Sequence, residues 1–335
     1  MKPMTRITLL PFVIATMLPL VPRPLAAQSP QTPLLNLEDK IALGQVRGRI
    51  DHMAVDPLGS RLFIAELENN SVGIVDLKDR KVVHLITGLT EPQGVGYEPS
   101  SGTLYVANGG DGSVRLYRGA DYAETGRIEL GDDADNIRID ADTKHIFVGY
   151  GAGAIATIDP ATQKKIAEFR LPAHPEGFQF DRRTHQIFVN VPRSRAIVTV
   201  DAINGQRKAA WPMKDAGANF PMALDEDAQR VLVAFRSPAK LGAFSARDGE
   251  SLASVALCGD ADDLFVDAKR GRVYVSCGEG FLDVFDARDY RRLARVPTAR
   301  GARTSYFVPS MDRLFLAVRG ASSEPAAVWV YRPVP

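Results

Sequence analysis

Four carboxylates stand at equivalent places along this 335-residue chain: Asp51, Asp135, Glu176 and Asp262. Each lies five residues before a second acid, Asp56, Asp140, Asp181 or Asp267, and the same place is filled elsewhere by Gln93, Phe220 and Thr304. Chemistry-bearing residues flank it: His52, Asn136, Asp263 and Ser305 one residue later, and His174, Asn219, Asp260 and Arg303 one or two earlier. Converging carboxylate oxygens suit a hard cation, Ca²⁺ or Mg²⁺, or Zn²⁺ if His52 and His174 take part. Asp51, Asp135 and Asp262 are then the metal ligands. His52, Asn136, His174, Glu176, Asn219, Asp263 and Arg303 are the candidate ligand-binding set. Acids gathered this way repel one another and need a counter-charge, which a cation, Arg303 or Arg138 would supply. A plainer role is also open, in which acids and amides at strand starts bond loop N–H groups.

The spacing shows what must position these residues. The acidic stops Asp56, Glu98, Asp140, Asp181, Asp225 and Asp267, with Pro309 in seventh place, are 42, 42, 41, 44, 42 and 42 residues apart. Such a period, filled with short β-branched and aromatic runs between Gly, Asp, Asn and Pro, predicts an all-β propeller. Seven repeats use up the chain, so the expectation is seven four-stranded antiparallel blades in one domain over residues 28–335. The last repeat lacks a fourth strand, and Lys40–Val46 is expected to close the ring against Ala327–Tyr331. The residues one and three before each stop are apolar, Val55 and Met53 in the first repeat, and are expected to pack between blades. Five before the stop the character turns polar, and the ring of these residues is expected at the channel mouth. Asn108, Tyr150, Asn190, Arg236 and Glu279 are expected to reach the same face from neighbouring loops.

The phrases Leu104-Tyr105-Val106-Ala107-Asn108, Ile158-Asp159-Pro160-Ala161-Thr162 and Ile187-Phe188-Val189-Asn190 give the chain a fold-wide resemblance to the YVTN-repeat β-propeller family. The resemblance implies an exported, extracytoplasmic propeller and leaves the activity open, because one fold hosts many functions. Export also follows from the N-terminus. Lys2 and Arg6 precede the apolar stretch Ile7–Leu20, and Leu25-Ala26-Ala27 offers a cleavage site, so residues 1–27 read as a signal peptide and the mature protein as periplasmic or secreted. No later run is apolar enough to span a membrane.

The two cysteines, Cys258 and Cys277, are an even pair in an oxidising compartment, which favours a disulfide. Two buried thiols or a thiolate metal pair are the alternatives. Forty-one Lys and Arg against forty Asp and Glu leave a formal charge of +1 with no basic stripe, which argues against nucleic acid as a partner. Neither a Gly-x-Ser-x-Gly elbow nor a His-Glu-x-x-His pair occurs. The expected function is therefore an exported, monomeric binding or interaction propeller. Its acidic mouth would hold a small polar ligand, a cation or another extracytoplasmic protein. The alternative is a metal-dependent hydrolase or lyase, resembling seven-bladed lactonases and streptogramin lyases. There Glu176 or His174 would move protons and Arg303 would stabilise an oxyanion. In either case replacing Asp135 or Glu176 by Ala is expected to weaken binding and to leave the melting temperature nearly unchanged.

Overall fold

A computed structural model describes residues 33–321 and 324–335; the expected signal peptide, residues 1–27, lies outside them. The unit Leu34–Pro335 consists of seven four-stranded sheets. Six run in chain order from an innermost to an outermost strand, as in Met53–Asp56, Arg61–Glu66, Ser71–Asp76 and Lys81–Ile86, and the seventh takes its outermost strand from the N-terminal side of the chain. All pairings are antiparallel, which is the seven-bladed propeller expected from the period. Among the described residues the only helices are three single 3-10 turns, and no helix is long and apolar enough to cross a membrane.

The repeated acids explain themselves as turn residues. Asp56 accepts the Gly59 amide, Glu98 that of Ser100, Asp140 that of Asp142 and Asp225 that of Ala228, each at 3.0 Å. A carboxylate there satisfies backbone N–H groups that the tight link between the first two strands leaves over. Pro309 does the same work by other means. It opens the 3-10 turn Pro309–Met311, which Asp312 ends in the left-handed region at φ 53°. Proline pre-sets the φ that this turn needs.

The ring closes through the N-terminal strand, which is Leu35–Ala42 rather than Lys40–Val46. It pairs with Ala327–Pro333, Ala42 opposite Ala327 and Leu35 opposite Pro333, and a bulge between Leu37 and Asp39 absorbs one residue. The expected segment began at Lys40 and missed the strand's first five residues, among them the polar Asn36, Glu38 and Asp39. In an outermost strand such residues are tolerated: Glu38 is exposed, Asp39 is half-buried beside Arg80 at 3.3 Å, and Lys40 lies over the Trp329 ring at 3.9 Å. Past Ala42 the chain leaves the sheet with one more bond, Leu43 N–H to the Ala326 carbonyl at 2.8 Å.

Side chains from facing blades form the core, one cluster for each gap between neighbours; Ile64, Val75, Phe315 and Val328, for example, join the first and last blades. In six of the seven repeats the apolar residue three before the stop belongs to this packing: Met53, Val95, Ile137, Phe178, Met222 and Leu264 are buried, whereas Tyr306 is half-buried. Those one before the stop, apart from the buried Val308, are not packed away as expected. Val55, Tyr97, Ile139, Phe180, Leu224 and Val266 are only half-buried. The innermost strands end around an open channel, so these last side chains border space instead of another blade.

Candidate functional site

The innermost strands do not keep a strict two-residue alternation where they begin. Asp135 and Asn136 together oppose one residue of the neighbouring strand, since Ala134 pairs with Tyr150 and Ile137 with Val148. The same shift occurs at Gln93 and Gly94, at Phe220 and Pro221, and at Asp262. A bulge leaves one residue out of the ladder and re-aims its side chain. Here it turns the residue five before the stop towards the channel axis. Neighbouring innermost strands touch at this level, His52 N–H bonding the Gln93 carbonyl at 3.2 Å and Gly177 N–H the Phe220 carbonyl at 2.9 Å. Glycine is required there. A Cβ on Gly94 would stand 2.0 Å from the Asp135 carbonyl oxygen, and one on Gly177 would stand 2.6 Å from that of Phe220.

Three compartments follow one another down the channel. The mouth is a cavity of about 540 Å³ bordered by five ring residues, Gln93, Asp135, Glu176, Phe220 and Asp262. Below it a neck of about 50 Å³ is bordered by Asp51, His52, Asn136 and Asp263. A second chamber of about 370 Å³ continues beneath, bordered by Val55, Tyr97, Arg138, Ile139 and Tyr306 among others. Of the seven ring residues only Thr304 leaves the channel, donating its hydroxyl to the Ile50 carbonyl at 3.0 Å.

Asp135 sits between two imidazoles. His52 Nε2 is 3.6 Å from one carboxylate oxygen and His174 Nε2 is 3.8 Å from the other. His174 Nδ1 also reaches the Gly151 carbonyl at 2.7 Å and Asp133 at 3.4 Å. Burial alone would discharge both imidazoles, yet the Asp135 carboxylate and the acids around it raise each to about 9. Burial would likewise raise Asp135, but the two histidines outweigh it and hold that carboxyl below the usual range. At neutral pH the trio is an anion flanked by two cations. The opposite holds for Glu176, which burial and the charges of Asp135 and Asp262 push up to about 8, so it keeps its proton. Burial also raises Asp51 to about 6 and Asp263 to about 7, against the pull of His52.

Asp262 and Asp260 at the mouth and Asp51 in the neck are matched by arginines. Asp262 is bonded by Arg236 and lies 2.8 Å from Arg303 Nε, while Arg303 Nη1 also holds Asp260 at 2.8 Å. Arg49 pairs with Asp51 at 2.7 Å. The expectation of an acidic mouth is therefore corrected to a charge-balanced one. Arg49 and Arg193 escaped sequence reasoning altogether. Arg49 stands two residues before a ring acid and could have been found there; Arg193 arrives on the 3-10 turn Pro192–Ser194, which the repeat pattern does not mark.

Asp51, Asp135 and Asp262, the expected metal ligands, stand among the same counter-charges. Among the described residues no group of three or more His, Cys, Asp or Glu is arranged to hold a metal ion. Their oxygens already face Arg49, the two imidazoles, and Arg236 with Arg303. Asn219 is also not a mouth residue. It is fully buried, and its amide donates to Asn190 Oδ1 and the Ala196 carbonyl at 3.1 Å each. Asn190 in turn donates to the Phe220 and Pro221 carbonyls at 3.2 and 3.1 Å. These two amides fix the bulge that presents Phe220. Of the loop residues expected on this face, Arg236 borders the cavity. Asn108 is spent on Ser113, Tyr150 on Glu168 and Glu279 on the Gly259 amide.

Cys258 and Cys277 are joined by a disulfide with Cα atoms 5.8 Å apart. Cys277 pairs with Ala261, the residue before the bulged Asp262, so the bridge pins the mouth end of the sixth blade.

No family model matches the chain, and no curated protein does. Solved structures match over nearly all of the propeller. A chain of Kuenenia stuttgartiensis hydrazine synthase superposes with a TM-score of 0.74 at 19% identity, covering 86% of this chain and 95% of that one. A chain of a mitotic checkpoint complex superposes with a TM-score of 0.74 at 14% identity, covering 94% and 98%. Likeness at this identity concerns the fold alone, a seven-bladed propeller.

Proposed function

We propose that this protein is a binding propeller whose channel mouth holds a small polar ligand that is uncharged or zwitterionic. One observation carries the reading: the ionised side chains set into the mouth are paired with one another, Asp135 with His52 and His174, Asp262 with Arg236 and Arg303, and only the exposed Asp132 and Arg193 at its rim have no ion-pair partner among the described residues. A net cation or anion would have to break such pairs, whereas a hydroxyl-rich or zwitterionic molecule can bond to them as they stand. Glu176 completes the site. It borders the cavity with no side-chain hydrogen-bond partner among the described residues, and near neutral pH it presents both an O–H donor and a carbonyl acceptor. The metal-dependent hydrolase or lyase reading would require Asp51, Asp135 and Asp262 to exchange their ion-pair partners for a cation.

Thermal-shift and calorimetric screens with neutral sugars, amino acids and the chlorides of Ca²⁺, Mg²⁺ and Zn²⁺ test this. Stabilisation by a sugar or amino acid that Glu176→Leu removes is the expected outcome. Stabilisation by a divalent ion alone, lost with Asp135→Ala, would return the site to metal binding.

Membership of the YVTN-repeat propellers is part of this reading, supported by the repeated Leu-Tyr-Val-Ala-Asn type phrases. So is export through residues 1–27, which the Cys258–Cys277 disulfide supports, because such bonds persist in oxidising compartments. Accumulation of a precursor that still carries residues 1–27, with no exported product, would count against it.

A further inference from the structure

We propose that the lower chamber of the channel is a second binding site, for a small organic carboxylate with an aromatic or aliphatic body, anchored by Arg138. The chamber, about 370 Å³, is large enough for such a molecule and is separated from the mouth by the narrow neck. Its walls are the apolar residues that the blades do not pack away: Val55, Tyr97 and Ile139 on one side, Phe265 and Tyr306 on the other. Phe265 and Tyr306 meet edge to face with centroids 6.0 Å apart, leaving ring surface for a flat partner.

Arg138 makes this chamber different from an apolar void. Its guanidinium donates through Nη1 to the adjacent Ile137 carbonyl at 2.8 Å and lies over the Phe178 ring at 5.6 Å. Among the described residues no carboxylate comes within ion-pairing distance of it, whereas Arg49, Arg236 and Arg303 in the mouth each have one. Asp263 borders the same chamber, but its Oδ2 accepts the Ser305 amide at 2.7 Å. Asp263 and Asp135 act on Arg138 only from beyond ion-pairing distance, and a carboxylate in the chamber would meet the half-buried guanidinium directly, in the forked geometry that it favours. The apolar body of the ligand then covers the half-buried walls.

Phenylacetate is the probe, with acetate lacking the body and 2-phenylethanol lacking the charge. Calorimetry on the folded propeller is expected to show binding of phenylacetate and much weaker binding of both controls. Loss of a charge-assisted pair predicts a roughly tenfold or greater weakening in Arg138→Met. Ile139→Trp, which fills the chamber, should abolish binding. Glu176→Leu, which alters the mouth, should leave it unchanged, so failure of the mouth reading and failure of this one are told apart. If Arg138→Met does not fold, the wild-type protein decides: the Arg138 Nε–H resonance must shift on adding phenylacetate. An unmoved resonance, equal binding of 2-phenylethanol, or no binding at all overturns the proposal.

Discussion

The mouth and the lower chamber are built from the same innermost strands, two to four residues apart, and they have opposite chemistry. In the mouth nearly every charge has a partner: Asp135 between His52 and His174, Asp262 between Arg236 and Arg303. In the chamber the walls are aromatic and aliphatic, and one guanidinium, that of Arg138, has only the Ile137 carbonyl. The bulges separate the two. They present the residue five before the stop to the axis, while the regular strand beyond returns to alternation and lines the channel with apolar residues. A propeller can thus divide one channel into two environments by a single extra residue in several blades.

The largest expected effect comes from breaking the paired mouth. Asp135→Asn leaves two imidazoles facing each other's charge without an anion between them, and removing one member of a buried ionic group costs about 3 to 5 kcal/mol. Urea unfolding at pH 7 measures it, and imidazole NMR titrations should show His52 and His174 falling from about 9. This differs from the sequence expectation of an unchanged melting temperature, because Asp135 is buried and doubly paired. An unchanged melting temperature together with unmoved histidines would break the contrast between the two ends.

Gly94→Ala tests the backbone contact that holds the bulges together. Its Cβ meets the Asp135 carbonyl of the neighbouring strand, and forcing an added methyl into such a place costs about 3 kcal/mol. Gly88→Ala, at φ 74° with nothing within 4 Å, is the control: it carries only the penalty of a left-handed alanine, about 1 to 2 kcal/mol. Equal losses in the two variants would mean that the strand contact is unimportant. The disulfide offers a comparable test at the sixth blade. A bridge between cysteines 19 residues apart stabilises by about 3 kcal/mol in the chain-entropy model, which the double Cys258→Ser, Cys277→Ser variant should lose.

A smaller effect should follow pH. The two histidines are raised to about 9, so their pairing stabilises fully below the unfolded value near 6.5 and is lost as pH rises through 9. Glu176 and Asp263, raised to about 8 and 7, hold protons more tightly when folded, and stability again falls as pH rises through those values. Asp135, held low, acts the other way and its contribution is lost only in strong acid. Unfolding free energy should therefore fall by about 2 kcal/mol or more between pH 6.5 and 9.5. A flat profile would show that the mouth carries no linked protons. Glu176→Gln, which keeps a neutral side chain of the same shape, should change stability by less than about 0.5 kcal/mol at pH 4, raise it by about 1 to 2 kcal/mol at pH 6, where the unfolded glutamate is already ionised, and flatten the alkaline limb of the curve.

Much of the molecule was legible in the residues alone. A repeat of near-constant length and acids that cap tight turns are local features, so the seven blades and the place of their innermost strands follow from spacing. The polar ring was legible because equivalent repeat positions must meet at an axis. Alternation, however, carries no record of a bulge, and only the folded sheet shows Asp135 re-aimed or Val55, Tyr97 and Ile139 left half-buried along the channel. Counter-charges were equally hidden. Arg236 reaches Asp262 from 26 residues away and Arg303 reaches Asp260 from 43, distances over which sequence has no means of pairing groups. Asn219 shows the converse: beside a ring position in sequence, its side chain turns into the blade to bond Asn190, and burial rather than spacing decided its role. Local order set the blades and the turns, because each is satisfied within one repeat; the division of the channel, its charge balance and its lone arginine depend on seven strands meeting, which only tertiary structure decides.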